Sequence, residues 1–496
     1  MINSNKYREY RELISKYEYA INIVSFDEET ICPRLDKEYS MSVTDFLSRK
    51  VIEIKNSDEY YKLLGSLIKD NEDLNEVEIL AVKKEYKEIN RSRRIPTDMQ
   101  FKELSISSKC SLSWQEARES LDYSEFEDNL ALLVNLNRDK IKLLEDKYHG
   151  YDVLLDEMED DFTTPIYDSL FNKLEEEILP LVKKILTLPK KYNVAIRNVK
   201  FPIAKQRELT KIICERMGFT PDRGYIGETI HPFTMGINSN DVRTTTAYDE
   251  SLLFSNLYSV MHEVGHGIYE LQVDKKYDNT VLSALTSMGI HESQSRFYEN
   301  YLGKSREFIE FIYPTLKSLF PTELAPFTID DIYYYVNDVE AQPRRTEADE
   351  LTYPFHVLIR YKVEKMLFNG EIEVKDICKT FDHLMLDYIG FLPSDKKEGC
   401  YQDVHWCSGF GYFPTYALGS AISAMVYHYM AHDIDIKGEM RIGRFELINE
   451  WLKNHIHKYG MSKKNKEIIR LAFGEDFNPD YYIEYLKNKF KTIYNL

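Results

Sequence analysis

The first 190 residues carry an almost unbroken helical pattern, and this feature constrains the fold more than any other. Segments at residues 7–23, 75–91 and 126–147 place apolar residues three and four positions apart between charged ones. This spacing puts the apolar side chains on one face of each helix, so the helices have to pack against one another to bury them. The pattern predicts a mostly α-helical fold.

The pattern changes near residue 189 and returns to helix near residue 249. Between these points the short alternating stretches VAIRNVKF, YIGETIHPF and DVRTTTAY lie among Gly, Pro and Asn, which is typical of a small β-sheet. No linker rich in Gly, Ser or Pro separates the two halves. We therefore predict one unit of residues 1–496, with an N-terminal helical portion at 1–190 and a catalytic portion at 191–496.

Charge and hydropathy limit the partners. The 82 acidic against 64 basic residues give a formal charge of -18, which argues against nucleic acid because phosphate binding needs a basic face. The longest nearly apolar run, residues 416–430, is interrupted by Gly, Ser and His and predicts a buried helix rather than a membrane span. The N-terminal residues have no apolar secretory segment and no small-residue cleavage site. We expect a cytoplasmic protein.

Six cysteines are scattered along the chain without a CxxC pair. With no secretion signal, reduced thiols are the expected state. Cys400 and Cys407 are accordingly interpreted as small buried hydrophobic residues. The six are Cys32, Cys110, Cys214, Cys378, Cys400 and Cys407.

The segment SLLFSNLYSVMHEVGHGIYELQV is a helical pattern that contains an HExxH motif at residues 262–266. His262 and His266 lie one turn apart on the same helix face, so both imidazoles can reach one metal ion. Glu263 lies about 100° round the helix, where it can touch a water on the metal without binding the metal itself. The alternative is a solvated helix face with no metal.

A catalytic zinc needs a third protein ligand and an open position. The second helical pattern, SALTSMGIHESQSRFYENYL, carries Glu292, which lies 26 residues (292 − 266) beyond His266 and is the natural third ligand. Its neighbour His291 is the rival for this role and would otherwise point about 100° away. The longer motif HExxHxxGxxH fails here, because GIYELQ follows His266. This constellation predicts a metallopeptidase in which Glu263 is the general base.

Six ordered motifs turn this constellation into a family match. The motifs are HPF at 231–233, DVRTT at 241–245, HEVGH at 262–266, HESQSR at 291–296, RRTEAD at 344–349 and GCYQDVHW at 399–406, trailed by GFGYFPTYALG. With these motifs the chain resembles the carboxypeptidase Taq family of thermostable metallocarboxypeptidases, and a weaker match, SFDEETICP, lies upstream. Three departures occur, which are Phe26 where the family has Trp, Arg344 where it has Ile, and MEDDF at residues 158–162 where it usually has YEPGM.

The resemblance implies a mostly α, saddle-like enzyme with a long groove and a small sheet near the active site. It implies a homodimer that removes single residues from free peptide C-termini with broad specificity, using one divalent ion per chain, zinc or cobalt. Carried onto this sequence, the ligands are His262, His266 and Glu292 and the base is Glu263. Arg345 would hold the terminal carboxylate, because a planar guanidinium binds a carboxylate through two hydrogen bonds.

Further residues are candidates for supporting roles. His231, His405 and Tyr412 are candidate substrate-binding residues, and Tyr416 competes with them as the donor to the oxyanion. His231 can equally satisfy a backbone carbonyl, and a buried His405 beside Trp406 can be structural. Asp241 and Glu270 are candidate acceptors that orient the ligand imidazoles, with Arg243 bracing Asp241.

Two other functions stay open from the sequence. A helical oligopeptidase that cuts internally also places HExxH in a deep groove, but it has no need of Arg345 as a clamp. A silent peptide-binding protein would be expected to lack Glu263 or a ligand, and this chain keeps all four residues.

Overall fold

The structure is a computed structural model, and it describes residues 2–229, 231–283, 287–407 and 409–496. The predicted mostly α fold with a small sheet is confirmed. Nine α-helices lie among the described residues before position 190. They are α1 Ile2–Thr30, α2 Lys37–Asn56, α3 Asp58–Lys69, α4 Glu76–Ser92, α5 Thr97–Ser120, α6 Ser124–Leu144, α7 Tyr151–Met158, α8 Thr164–Lys173 and α9 Leu179–Ile185.

The second part of the chain adds three strands and twelve helices within the described residues. They are α10 Ile203–Met217, β1 Gly224–Glu228, β2 Thr234–Asn238, β3 Asp241–Thr246, α11 Leu253–Gln272, α12 Met288–Arg296, α13 Arg306–Leu319, α14 Ile329–Val336, α15 Tyr353–Phe368, α16 Ile377–Tyr388, α17 Phe413–Asp433, α18 Ile436–Arg441, α19 Glu446–His455, α20 Asn465–Phe473 and α21 Asp480–Tyr494. The apolar run at 416–430 lies inside α17, as predicted for a buried helix. Among the described helices, none is both long and apolar enough to cross a membrane.

The sheet has the order β1-β3-β2, with β1 parallel and β2 antiparallel to the central strand β3. Two of the three predicted stretches supply β1 and β3, whereas β2 lies between them, directly after YIGETIHPF. The third, VAIRNVKF, does not supply a strand, because Val194–Asn198 form a 3₁₀ helix whose first turn is capped by the Asn193 side chain. A local side-chain bond to the backbone thus competes with strand pairing here.

Two hydrophobic clusters hold the helices together. The smaller one joins α1, α3 and α4 through Tyr7, Ile14, Tyr60, Leu64 and Val82. The larger one extends from α4 to α21 and encloses the helices that carry the sequence motifs.

A buried ion pair lies within the smaller cluster. Arg11 donates to Glu85 at 2.8 Å, and the hydroxyls of Tyr7 and Tyr60 also donate to this carboxylate. Arg11 reaches the backbone carbonyl of Asn279 at 3.3 Å, which ties α1 to the segment after α11. The N-terminal helices are therefore attached to the motif-bearing half by polar contacts as well as by packing.

The cysteine prediction is wrong for one pair. Cys378 of α16 and Cys400 form a disulfide with a sequence separation of 22, whereas the other four cysteines are free. Cys400 is therefore a cross-link rather than a small apolar filler, while Cys407 is buried and free as expected. A folded chain can bring two distant cysteines together without any short motif, so spacing alone could not reveal this pair.

Candidate metal centre and carboxylate clamp

Helix α11 carries the HExxH motif in the interior of the protein. His262 and His266 face the same side, with ring centroids 4.9 Å apart. The Nε2 atom of each histidine lies 3.7 Å from Oε2 of Glu292, which stands on α12. One ligand atom from each of the three residues falls within 4.8 Å of the others. The structure thus brings together the three predicted ligands.

Two glycines allow α12 to lie close to its neighbours. A Cβ on Gly265 of α11 would lie 3.0 Å from the Cα of Ser295. A Cβ on Gly419 of α17 would lie 2.7 Å from the Cβ and Cγ of Glu292. Real Cβ atoms essentially never approach to 2.7 Å and rarely to 3.0 Å, so this packing needs glycine at position 419 and favours it at position 265. The two glycines therefore allow the backbone of α12 around Glu292 to pack closely between α11 and α17.

Glu299 is a site residue that the sequence analysis missed. It follows α12 in a π-helical segment, Phe297–Gly303, and its Oε2 lies 2.9 Å from Nδ1 of His262. Arg296 donates to Glu292 Oε1 at 2.7 Å and to Glu299 at 3.2 Å. Residues 292, 296 and 299 follow the four- and three-residue steps of one helix face, and this spacing was the available clue. Single-turn π segments are frequent at functional sites.

The charge of Glu299 is fixed by its neighbours. Burial alone would raise its pKa, but Lys304, Arg296 and His262 together hold the pKa below its usual value. An anionic Glu299 can only accept a hydrogen bond, so its 2.9 Å contact favours the tautomer with the proton on Nδ1 of His262 and leaves Nε2, which faces Glu292, as the nitrogen available to a metal. This is the tautomer that a metal ligand requires.

Glu263 is buried beside the ligands and contacts β2. The Thr234 hydroxyl lies 2.7 Å from its Oε2 and 2.8 Å from its backbone carbonyl. Burial raises the pKa of the Glu263 carboxyl, while His262 and the Thr234 hydrogen bond oppose this shift. A carboxylate made more basic by burial is suited to accept a proton. Thr234 directly follows the HPF motif, so the small sheet positions the candidate base.

The donor set fits a divalent ion of the zinc type. Two imidazole nitrogens and one carboxylate oxygen are the protein ligands found in catalytic zinc sites. Glu299 contacts Nδ1 of His262 and thereby leaves Nε2 as the nitrogen that can bind a metal. The ring of His266 stacks on that of His291, with centroids 4.1 Å apart. Burial lowers the pKa of His266 well below its usual value, which keeps this imidazole neutral and able to bind a metal.

Arg345 lies buried in a second polar cluster. Its Nε and Nη2 donate to Asp403 Oδ1 at 3.2 and 3.1 Å, and its Nη1 donates to the Tyr353 hydroxyl at 3.2 Å. The backbone N–H of Arg345 donates to the side-chain oxygen of Gln402 at 2.8 Å. A guanidinium has five N–H groups, so one on each terminal nitrogen stays available for a further acceptor.

This cluster carries an excess of positive charge. Arg360 also binds Asp403, with its Nε 2.6 Å from Oδ2, and is completely buried. Burial tends to raise the pKa of Asp403, but Arg360 and Arg345 reverse this and lower it. Two guanidiniums therefore share one carboxylate, and the uncompensated cation favours binding of an additional anion.

The candidate oxyanion donors differ in their placement. His405 Nε2 lies 3.3 Å from the Tyr416 hydroxyl, and its ring stacks on Tyr412 with centroids 5.3 Å apart. The Tyr416 ring lies under the Arg345 guanidinium at 4.7 Å. Burial lowers the pKa of His405 to about 4, which makes it a neutral partner of the tyrosine. His231, by contrast, is exposed.

The two predicted imidazole acceptors have other partners. Asp241 accepts from Arg243 at 3.1 and 2.9 Å, which confirms the expected bracing but does not support contact with a ligand imidazole. Glu270 lies 3.4 Å from Nε2 of His291, the rival that stands beside Glu292. Glu299 instead makes the contact with a ligand imidazole that was predicted for Asp241 and Glu270, because it follows Glu292 and Arg296 on the helix face turned toward His262.

Two partly buried histidines with a buried glutamate, a neighbouring carboxylate and a buried arginine on a mostly helical frame define a metal-dependent peptidase. The profile of the Carboxypeptidase Taq (M32) metallopeptidase family matches residues 6–490. The chain belongs to this family and is a metallocarboxypeptidase, as its sequence predicts.

Known proteins similar to this chain span nearly all of it. Carboxypeptidase 1 of Bacillus subtilis is 37% identical over 486 residues, covering 97% of each chain. Thermostable carboxypeptidase 1 of Pyrococcus furiosus is 32% identical and covers 97% of this chain and 98% of its own. The crystal structure of the M32 carboxypeptidase from Deinococcus radiodurans R1 superposes with a TM-score of 0.96 at 25% identity and covers 100% of both chains.

Proposed function

We propose that this enzyme removes single residues from free peptide C-termini with broad specificity, using one zinc ion held by His262, His266 and Glu292. The set of three donor residues and the contact between Nδ1 of His262 and Glu299 support this assignment. Cobalt, which accepts similar ligands, would substitute for zinc. A bound zinc ion supplies a Lewis acid that polarises the scissile carbonyl and acidifies water.

The observation that carries the proposal is the buried positive excess at Arg345. Asp403 neutralises one of two guanidiniums, so the charge of the second stays unbalanced. The two remaining N–H groups on the terminal nitrogens of Arg345 match the two oxygens of a carboxylate. A free peptide C-terminus has this group and an internal peptide bond does not, so the clamp favours terminal cleavage.

The remaining steps belong to residues near the triad. Glu263 would accept the proton of the attacking water and then pass it to the departing amine. Thr234 would hold the Glu263 carboxylate in place through its 2.7 Å hydrogen bond. Tyr416, Tyr412 and His405 are the proposed donors near the substrate carbonyl. The exposed His231 stays a candidate for substrate contact.

We also propose a homodimer that acts in the cytoplasm, with residues 1–496 as one unit. The family resemblance supports the dimer and the single unit, since one family profile spans residues 6–490. Three large apolar side chains are exposed on one face of α5, and such a patch is consistent with a subunit interface at this helix. They are Phe101, Leu104 and Leu112. The Cys378–Cys400 disulfide is the one observation that argues against the cytoplasm, since such bonds are rare there and persist in oxidising compartments.

The clamp is tested by comparing Arg345→Ala with Arg344→Ala. Arg344 is adjacent but half exposed, and it pairs with Glu347 and Glu398 on the surface. Arg345→Ala should lower kcat/KM on a free-acid peptide by about 100-fold or more and reduce the preference for the acid over its amide. Arg344→Ala should leave both quantities near those of the parent. Equal rates of the parent on acid and amide would contradict the exopeptidase and favour internal cleavage.

A further inference from the structure

Tyr353 lies between the metal centre and the carboxylate clamp. It is the first residue of α15, and it is buried with 5% exposure. Asp349 fixes the turn before it by accepting from the backbone N–H groups of Leu351 and Thr352. The backbone N–H of Tyr353 bonds in turn to the Asp349 carbonyl at 2.9 Å. The ring therefore starts from an anchored backbone.

The hydroxyl of Tyr353 contacts the clamp. Arg345 donates to it through Nη1 at 3.2 Å, while Asp403 binds the opposite edge of the same guanidinium. A planar guanidinium held at two edges cannot rotate freely, so its remaining N–H groups keep one direction. Without the hydroxyl, only the Asp403 edge would be fixed.

The ring of Tyr353 contacts the metal side. The guanidinium carbon of Arg296 lies 4.2 Å from the ring centroid, within the range of a cation–π interaction. Arg296 in turn donates to Oε1 of Glu292 at 2.7 Å. With Oε1 engaged, Oε2 is the Glu292 oxygen that faces His262 and His266.

We propose that Tyr353 is a positioning residue that connects the two halves of the active site, with its hydroxyl orienting Arg345 and its ring supporting Arg296 and thereby Glu292. This inference rests on the proposed function. The connection sets the separation between the clamp and the metal ligands, and this separation determines how many residues lie between the bound carboxylate and the bond that is cut.

Two substitutions separate the two contacts. Tyr353→Phe removes the hydroxyl and keeps the ring, so KM for a free-acid peptide should rise about tenfold, more than kcat falls, and the preference for acid over amide should shrink. Tyr353→Leu removes the ring as well, so zinc affinity should also fall about 10–100-fold, as for other residues that orient ligands. Zinc affinity is measured by competition with a chelator, independently of turnover.

A matched control is Tyr61→Phe on α3. Tyr61 also carries an arginine, Arg93, 4.6 Å from its ring centroid and has a bonded hydroxyl, but it belongs to the N-terminal helices. Its variant should keep the kinetics and zinc affinity of the parent. If the parent prefers the acid and Tyr353→Phe keeps that preference undiminished, the role of Tyr353 is refuted while the proposed function stands. If the parent shows no preference, the proposed function fails first.

Discussion

At the scale of single residues, the active site depends on side chains that position and orient other side chains. Glu299 fixes the tautomer of His262, Thr234 holds Glu263, and Arg296 engages one oxygen of Glu292. None of these three is a predicted ligand or base. Such supporting contacts commonly change metal affinity or activity 10–100-fold when they are removed.

Glu263 gives the sharpest prediction at this scale. Glu263→Gln keeps the size of the side chain and its hydrogen bond from Thr234 but cannot take a proton. Turnover should fall by about three orders of magnitude or more, while elemental analysis still finds one zinc per chain. His262→Ala should lose the metal in the same assay. Turnover of the glutamine variant within about tenfold of the parent would show that another residue is the base.

The sequence predicted the triad because HExxH places two imidazoles on one helix face, a local property. It missed Glu299 because the contact with His262 depends on how α12 and its π continuation cross α11. The role predicted for Asp241 stays a prediction, and in the structure its carboxylate pairs with Arg243, two positions along the same strand. Local spacing predicts ligands better than it predicts their acceptors.

At the scale of elements, α12 is held at its first turn as well as on the face that carries Glu292. Glu159 is completely buried and accepts from the backbone N–H of Gly289 at 2.9 Å. It belongs to the MEDDF segment that departs from the family pattern. Burial raises the pKa of Glu159 to about 8, with the Gly289 bond opposing the shift.

This carboxyl makes stability depend on pH. The folded protein holds the Glu159 proton up to about pH 8, above the usual carboxyl value of 4.5, so its contribution is complete below pH 4.5 and is lost as the pH rises through 8. Glu159→Gln should match the parent near pH 5 and become more stable than it toward pH 9, by up to about 1.4 kcal/mol per pH unit.

Thermal and denaturant unfolding across this range measure the difference. The exposed Glu176→Gln is the control and should stay within about 0.5 kcal/mol of the parent throughout. A Glu159→Gln variant that is equally destabilised at pH 5 and pH 9 would refute the raised pKa.

The disulfide gives a second prediction at this scale. Cys378–Cys400 joins α16 to the segment whose Gln402 and Asp403 contact Arg345. Intact mass without reductant should be about 2 Da below that of the fully reduced chain, and Cys400→Ser should lower the free energy of unfolding by up to about 3 kcal/mol for a loop of this length. Cys32→Ser, at a free and partly exposed cysteine, is the control. An unchanged mass on reduction would mean that the reduced-thiol expectation holds after all.

The long helices were predictable because their apolar spacing repeats over many turns. The predicted 75–91 and 126–147 correspond to Glu76–Ser92 and Ser124–Leu144. The short VAIRNVKF stretch was mistaken for a strand because eight residues carry too little periodicity to outweigh a local cap. The ends of α6 and the π segment after α12 depend on tertiary packing that no local pattern contains.

At the scale of the whole molecule, the N-terminal helices meet the catalytic half at the sheet. Asn22 of α1 donates to the Gly236 carbonyl on the edge strand β2 at 3.2 Å, and Phe26 packs against Phe233 with ring centroids 5.8 Å apart. An edge strand left open could pair with another chain. The same strand carries Thr234, so α1 supports the element that positions Glu263.

The central claim, terminal cleavage that requires a metal and a free carboxylate, is tested most directly by time-resolved mass spectrometry. The zinc-loaded parent enzyme is incubated with a short unblocked peptide and, separately, with the same peptide amidated at its C-terminus, each with and without a chelator. The account predicts successive loss of single C-terminal residues from the acid, little cleavage of the amide, and none after chelation. Internal fragments, or equal rates on acid and amide, would contradict it.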